Sequence, residues 1–269
     1  MSLRSLLPRL ALAALCAGAL PALAAGKCER LVATGAPDQP PYLWQDPQHP
    51  EQLVGASADL LKALGQELGV QVEVLYAGKR AMALDDALNG RVDVLAGSYL
   101  TPTALEQFDF IHPAYLAVPV HVWAPLDKAP LFARLADLAS HRGLAVGAGG
   151  YATPLLGQVE TLKLKRTAKV GEALQQLQQG KLDYLLLERH AGRAEVERQG
   201  LGGEVIALQP ALSEEPLYLA LSHNSACNHP WLRGQLAKKM TEFRAAGVPQ
   251  TLLERNLERW KAQRLAAKP

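Results

Sequence analysis

Glu188 ends KLDYLLLE, a strand-like run that delivers a carboxylate where the strand stops. The earlier half of the chain holds a counterpart, since RVDVLAG runs into Gly97, Ser98 and Tyr99. The two endings stand in register: five positions after Asp93 is Ser98, and five after Asp183 is Glu188. Hydroxyls at one strand end and a carboxylate at the other suit the gripping of a polar molecule. Arg80, in AGKRAMALDD, opens a helical pattern at the end where the helix dipole disfavours a cation, so a compensating partner is expected. Gly150, Tyr151 and Thr153 mark another helix start, where backbone N–H groups can bind an anion and Thr153 can equally cap the helix. TPTALEQFDFIHPAY, residues 101–115, begins at Thr101 with the shape of a ligand-gripping turn, yet it contains no Lys or Arg.

Bond-breaking chemistry has weaker support. The chain has no G-x-S-x-G elbow, no H-E-x-x-H and no P-loop. Glu188 and His112 are the candidates for a general acid or base, so the expectation is a non-enzyme with a secreted, dehydratase-like enzyme as a rival. His223, Cys227 and His229 could be read as metal ligands, but no fourth ligand is evident. No cofactor and no metal are expected.

The N-terminal MSLRSLLPRLALAALCAGALPALA has Arg4 and Arg9 early, a Leu/Ala-rich middle, and small residues at Ala22 and Ala24. That is the layout of a secretory signal peptide, residues 1–24, cleaved after Ala24. Its apolar run of about 16 residues, interrupted by Pro21, is short for a membrane span of about 20. Removing Arg4 and Arg9 with the leader leaves 26 of the 28 basic residues against 26 acidic ones, a formal charge of zero. No basic stripe points to nucleic acid or to a membrane surface. Cys16 leaves with the leader, and Cys28 and Cys227 remain as a pair in an oxidising compartment, where a disulfide is expected.

The elements that must hold these groups follow from periodicity. ASADLLKALGQELG places Leu60, Leu61, Leu64 and Leu68 on one helical face, with Gly69 to close it. VQVEVLY alternates as a strand, ALDDALNG returns to helix, and RVDVLAG is a short buried-type strand. The theme repeats in GLAVGAG, TPLLGQVETL, VGEALQQLQQG and KLDYLLLE. The junctions NGRVDVL and QGKLDYL lie at a constant offset of 90 positions. Alternating strands and helices predict α/β lobes with parallel sheets. YLAVPVHVW (115–123) and EPLYLALSHN (215–224) bracket the second half as extended connections. A cystine between Cys28 and Cys227 would return the chain to the first lobe, leaving a cleft between two lobes at the carboxyl ends of the strands.

PPYLW, GASADLLKALGQELG, NGRVDVLAG followed by TPTALEQFDFIHPAY, GLAVGAGGYAT, GKLDYLLLE and AKKMTEFRAAGVPQTLLERNLERW occur in an order that resembles extracellular solute-binding proteins of family 3. The group is dominated by polar amino-acid receptors of ABC transporters, and the likeness extends over about 230 residues. It implies a type II periplasmic-binding-protein fold, α/β and two-lobed, with two hinge strands. Residues 25–117 and 216–269 would form the first lobe and 118–215 the second. It further implies a monomer in the periplasm that presents a small polar solute to an inner-membrane ABC permease or to a sensor. Tyr42 and Trp44 lie where the family covers its ligand with aromatics, and Glu188 where an acid takes the ligand's ammonium group. Three positions after the turn threonine the family carries an arginine for the ligand's carboxylate; here Ala104 follows Thr101. Ordinary L-amino acids are therefore expected to bind weakly, unless Arg80 supplies the charge.

Overall fold

The computed structural model of the protein describes residues 28–147, 155, 159–167 and 169–266. Burial alternates along β1 (Arg30–Thr34), with Leu31 and Ala33 inside. Three short strands, β2 (Asp38–Gln39), β3 (Leu43–Gln45) and β4 (Leu53–Val54), form a separate antiparallel sheet that carries Trp44. Helix α1 (Ala56–Leu68) buries Leu60, Leu61 and Leu64 as its periodicity predicts, and Gly69 closes it in the left-handed conformation at φ 66°. β5 (Gln71–Val74), α2 (Arg80–Leu88) and β6 (Val94–Tyr99) complete the first lobe's winding. β5 and β6 flank β1 in parallel register.

Gly55 fixes how this lobe presents its site residues. Its φ is +133°, and a Cβ there would stand 2.4 Å from the carbonyl oxygen of Tyr42. The same carbonyl accepts the N–H of Ser57 at 2.9 Å, so the start of α1 is fastened directly to the segment bearing Tyr42. Gly55→Ala is expected to cost about 2 kcal/mol, from the strained backbone and the backbone contact. Urea unfolding of the variant checks this, and an unchanged midpoint would refute it.

One turn of helix, α3 (Pro102–Leu105), capped by Thr101, precedes β7 (Phe108–Pro125). This strand of 18 residues is longer than the predicted extended run and spans both lobes. The second lobe is built from β8 (Gly143–Val146), β9 (Lys165–Thr167), α4 (Val170–Gln178), β10 (Tyr184–Glu188) and α5 (Arg189–Gln199). β8 runs parallel to both β9 and β10, whereas β10 lies antiparallel to the end of β7. β11 (Val205–Ala207) also pairs with that end, and β12 (Ser213–Ser222) returns antiparallel to β7 and β6. The resulting order, β5-β1-β6-β12-β7-β10-β8-β9, is one continuous sheet in which β7 and β12 are the two connections between lobes. Five of the ten residues of the predicted TPLLGQVETL helix lie outside the described residues.

Each lobe encloses its own core. Both faces of β10 are covered: Tyr184 and Leu186 join one cluster, Leu185 and Leu187 another. A strand covered on both sides needs the continuous apolar run YLLL, not an alternating one. The last helices, α6 (Pro230–Ala245) and α7 (Val248–Ala266), pack onto the first lobe through Leu232, Leu236, Met240, Leu252 and Leu253. Cys28 and Cys227 are joined in a disulfide, with Cα atoms 5.3 Å apart, as the sequence predicts. Cys227 is thereby unavailable as a thiolate ligand. Among the described residues no group of three or more His, Cys, Asp or Glu side chains could hold a metal ion.

Candidate functional site

The carboxyl ends of β6 and β10 open onto two cavities of about 530 and 370 Å³. Tyr42, Trp44 and Glu188 line the larger, while Arg80, Ser98, Thr101 and Ala104 line the smaller. Tyr99 lines both. The groups singled out in the sequence are thus brought to the same region but divided between two compartments. Gly150, Tyr151 and Thr153 lie outside the described residues.

Glu188 is the most constrained of these groups. It ends β10 and caps α5, accepting the N–H of His190 at 2.8 Å and that of Ala191 at 2.7 Å. The Tyr42 hydroxyl, from the first lobe, donates to the same carboxylate at 3.0 Å. The residue as a whole keeps some surface open to solvent, but its carboxylate is enclosed by protein. Burial therefore pushes its pKa up to about 7, although the two backbone donors, Tyr42 and Arg189 favour the ionised form. A carboxylate offers about four lone-pair sites, and three are used here. One position remains on Oε2 for a cationic or hydroxyl-bearing group. Arg193, near in sequence, pairs instead with Glu197 at 3.0 Å.

Aromatic side chains enclose the larger cavity. Tyr42 is buried, and burial raises its hydroxyl pKa well above the usual value, an effect strengthened by Glu188. The indole N–H of Trp44 donates to Gln263 at 2.8 Å, and the Arg259 guanidinium lies 5.9 Å from the Trp44 ring centroid. Gln263 belongs to the far end of α7, together with Trp260 and Arg264, which also line this cavity. Arg264 continues across to α5 of the second lobe and pairs with Glu195 at 3.3 Å. Burial pushes the Glu195 pKa up, but Arg198, Gln199 and Arg264 outweigh it and hold the carboxyl below its usual value. The C-terminal helix thus forms a wall of the cavity and touches both lobes. Nothing in LERNLERWKAQR distinguishes it from an ordinary amphipathic helix.

The smaller cavity is arranged differently. Arg80 begins α2 with an exposed side chain. Desolvation by the surrounding protein lowers its pKa, while Tyr99 and Asp38 act in the opposite sense. Thr101 accepts the Ala104 N–H at 3.2 Å, so its hydroxyl serves as a cap while facing the cavity. Arg166, on β9 of the second lobe, lines the same cavity. In KLKRTAK it is one basic residue among several, and no sequence signal marks it. His112, the other acid–base candidate, lines neither cavity; it is exposed and meets the Tyr218 ring edge-on at 5.1 Å.

A bilobed α/β chain with an aromatic-walled cleft and a buried carboxylate at its centre has the architecture of a type II periplasmic binding protein. The family description "bacterial extracellular solute-binding proteins, family 3" matches residues 31–257, and the chain belongs to that family. Trp260, Gln263 and Arg264 lie beyond the matched span. Similar solved structures include a histidine kinase sensor domain resembling periplasmic binding proteins, at 21% identity and TM-score 0.67, covering 85% of this chain and 96% of that one. Another is an amino acid ABC transporter substrate-binding protein from Streptococcus pneumoniae bound to L-arginine. It is 23% identical with TM-score 0.64, over 86% of this chain and 94% of the other. An ancestral amino-acid-binding protein, described as a precursor of cyclohexadienyl dehydratase, is 21% identical with TM-score 0.62 over 85% and 95% of the two chains. Among the described residues no helix is long and apolar enough to cross a membrane.

Proposed function

We propose that the protein is exported to the periplasm, loses residues 1–24, and captures a small polar solute, an amino acid or a relative of one, for delivery to an inner-membrane ABC permease. In this reading residues 25–117 and 216–269 form one lobe, residues 118–215 form the other, and the receptor acts as a monomer. The carrying observation is the hydrogen bond from Tyr42 to the enclosed Glu188, because it joins the lobes at the cavity where a solute would sit. Tyr42, Trp44 and Tyr99 would cover the solute, Glu188 would meet its cationic or hydroxylated group, and Ser98, Thr101 and Arg80 would hold its other end. Binding would favour the closed arrangement of the lobes.

The test is a calorimetric and thermal-shift screen of the exported protein against amino acids, polyamines, opines, sugar acids and small peptides. A solute with micromolar affinity that raises the unfolding midpoint, because it binds the folded form, supports the reading. A panel without a single hit counts against it. A second reading, supported by the similarity to a kinase sensor domain, is that the same cleft would report to a membrane signalling partner; neighbouring permease and ATPase genes would favour transport over it. A catalytic reading draws on Glu188 alone, since a carboxyl with a pKa of about 7 suits general acid–base chemistry. Turnover of the bound solute, abolished in Glu188→Gln, would establish it.

A further inference from the structure

The two cavities differ in the sign of their charge. Asp38, Glu188 and Glu195 line the larger, with Arg264 as the one cation among its described lining residues. Arg80 and Arg166 line the smaller, and no carboxylate does among the described residues. These arginines come from opposite lobes, Arg80 from the start of α2 and Arg166 from β9. Because both line one cavity, an anion lying between them would meet a guanidinium from each lobe. Ser98, Thr101, Thr103 and Gln107 add hydroxyl and amide donors to the same lining. Ala104, on the same lining, adds no charge of its own.

Guanidinium groups match carboxylates in shape and keep their charge when desolvated. On the other side of Tyr99, the remaining lone-pair position of Glu188 and the acid Asp38 suit a cation. We infer that the smaller cavity is the anion subsite of the solute cleft, its clamp formed by Arg80 of one lobe and Arg166 of the other. The solute is accordingly a zwitterion whose carboxylate and cationic group lie on opposite sides of Tyr99. An α-amino acid, with both charges beside one carbon, reaches only one compartment with its charged head. This inference rests on the solute-receptor reading, and it adds Arg166 as a determinant of specificity.

Calorimetry with unbranched ω-amino acids from glycine to aminohexanoate, and with pentylamine and pentanoate as single-charge probes, tests it on the exported protein and on Arg166→Gln. Affinity is expected to rise with the separation of the charges. The variant should weaken the longer amino acids and pentanoate by about tenfold or more, the loss of a charge-assisted hydrogen bond, and leave pentylamine unchanged. Arg166 is exposed, so the unfolding midpoint without solute should not move. Equal weakening of amine and acid, or no change for any probe, overturns the clamp. If neutral sugars or peptides bind while every carboxylate probe fails, the receptor reading stands and the zwitterion inference falls. If nothing in either panel binds, both fall.

Discussion

Cys28→Ala combined with Cys227→Ala is expected to lower the unfolding free energy by about 3–5 kcal/mol. The disulfide closes a loop of 199 positions, and the chain-entropy relation gives about 5 kcal/mol for a loop of that order. The lower figure allows for residual order in the unfolded chain. Structurally, the bond ties the segment entering β1 to the approach to α6, and Cys28 lies within the first lobe's core. Without it the returning chain is held by β12 in the sheet and by the packing of α6 and α7. Denaturant unfolding of the double variant, compared with the oxidised protein, measures the effect. A loss below about 1 kcal/mol would show that those contacts suffice and that the bond does not govern stability. Solute affinity should be little altered, because neither cysteine lines either cavity.

Much of this architecture was legible because it depends on local periodicity. Leu60, Leu61 and Leu64 announce α1 by their spacing, and YLLL after Asp183 announces a strand covered on both faces. The carboxylate at the end of KLDYLLLE follows from the rule that ligands gather beyond the carboxyl ends of parallel strands. Its second role was hidden, since a glutamate before Arg189, His190 and Ala191 is not a typical helix-cap signal, yet both of those last two N–H groups bond to it. β7 begins at Phe108, before the extended run read at 115–123, and contains Pro113 as well as Pro119. The strand accommodates both, with Pro119 opposite Glu214 of β12. Trp260, Gln263, Arg264 and Arg166 could not be found from local pattern. Their place in the cavities depends on the direction in which α7 and β9 leave their lobes, a tertiary property that spacing along the chain does not encode.

Raising the pH from 5 to 8 should destabilise the protein relative to Glu188→Gln by about 3 kcal/mol. The folded-state pKa of Glu188 is raised from 4.5 to about 7, chiefly by burial. The folded protein therefore retains a proton that the unfolded chain releases at lower pH. The associated stability is complete below pH 4.5 and is lost as the pH rises through about 7, at about 1.4 kcal/mol per pH unit between these values. Glutamine cannot titrate, although its amide oxygen can still cap α5. Urea unfolding of both proteins at a series of pH values isolates the contribution, because every other titrating group is shared. Parallel stability profiles would mean that the carboxylate is solvated and ionised throughout. Binding supplies an independent readout. A cation placed against Glu188 favours its ionised form, so a cationic solute should expel a fraction of a proton near neutral pH and bind more tightly as the pH rises from 6 to 8. Calorimetry in buffers of different ionisation enthalpy detects that proton. The amino acids that engage Glu188 should release it from the native protein and not from Glu188→Gln, whereas pentanoate, held only at the arginine end, should release none from either.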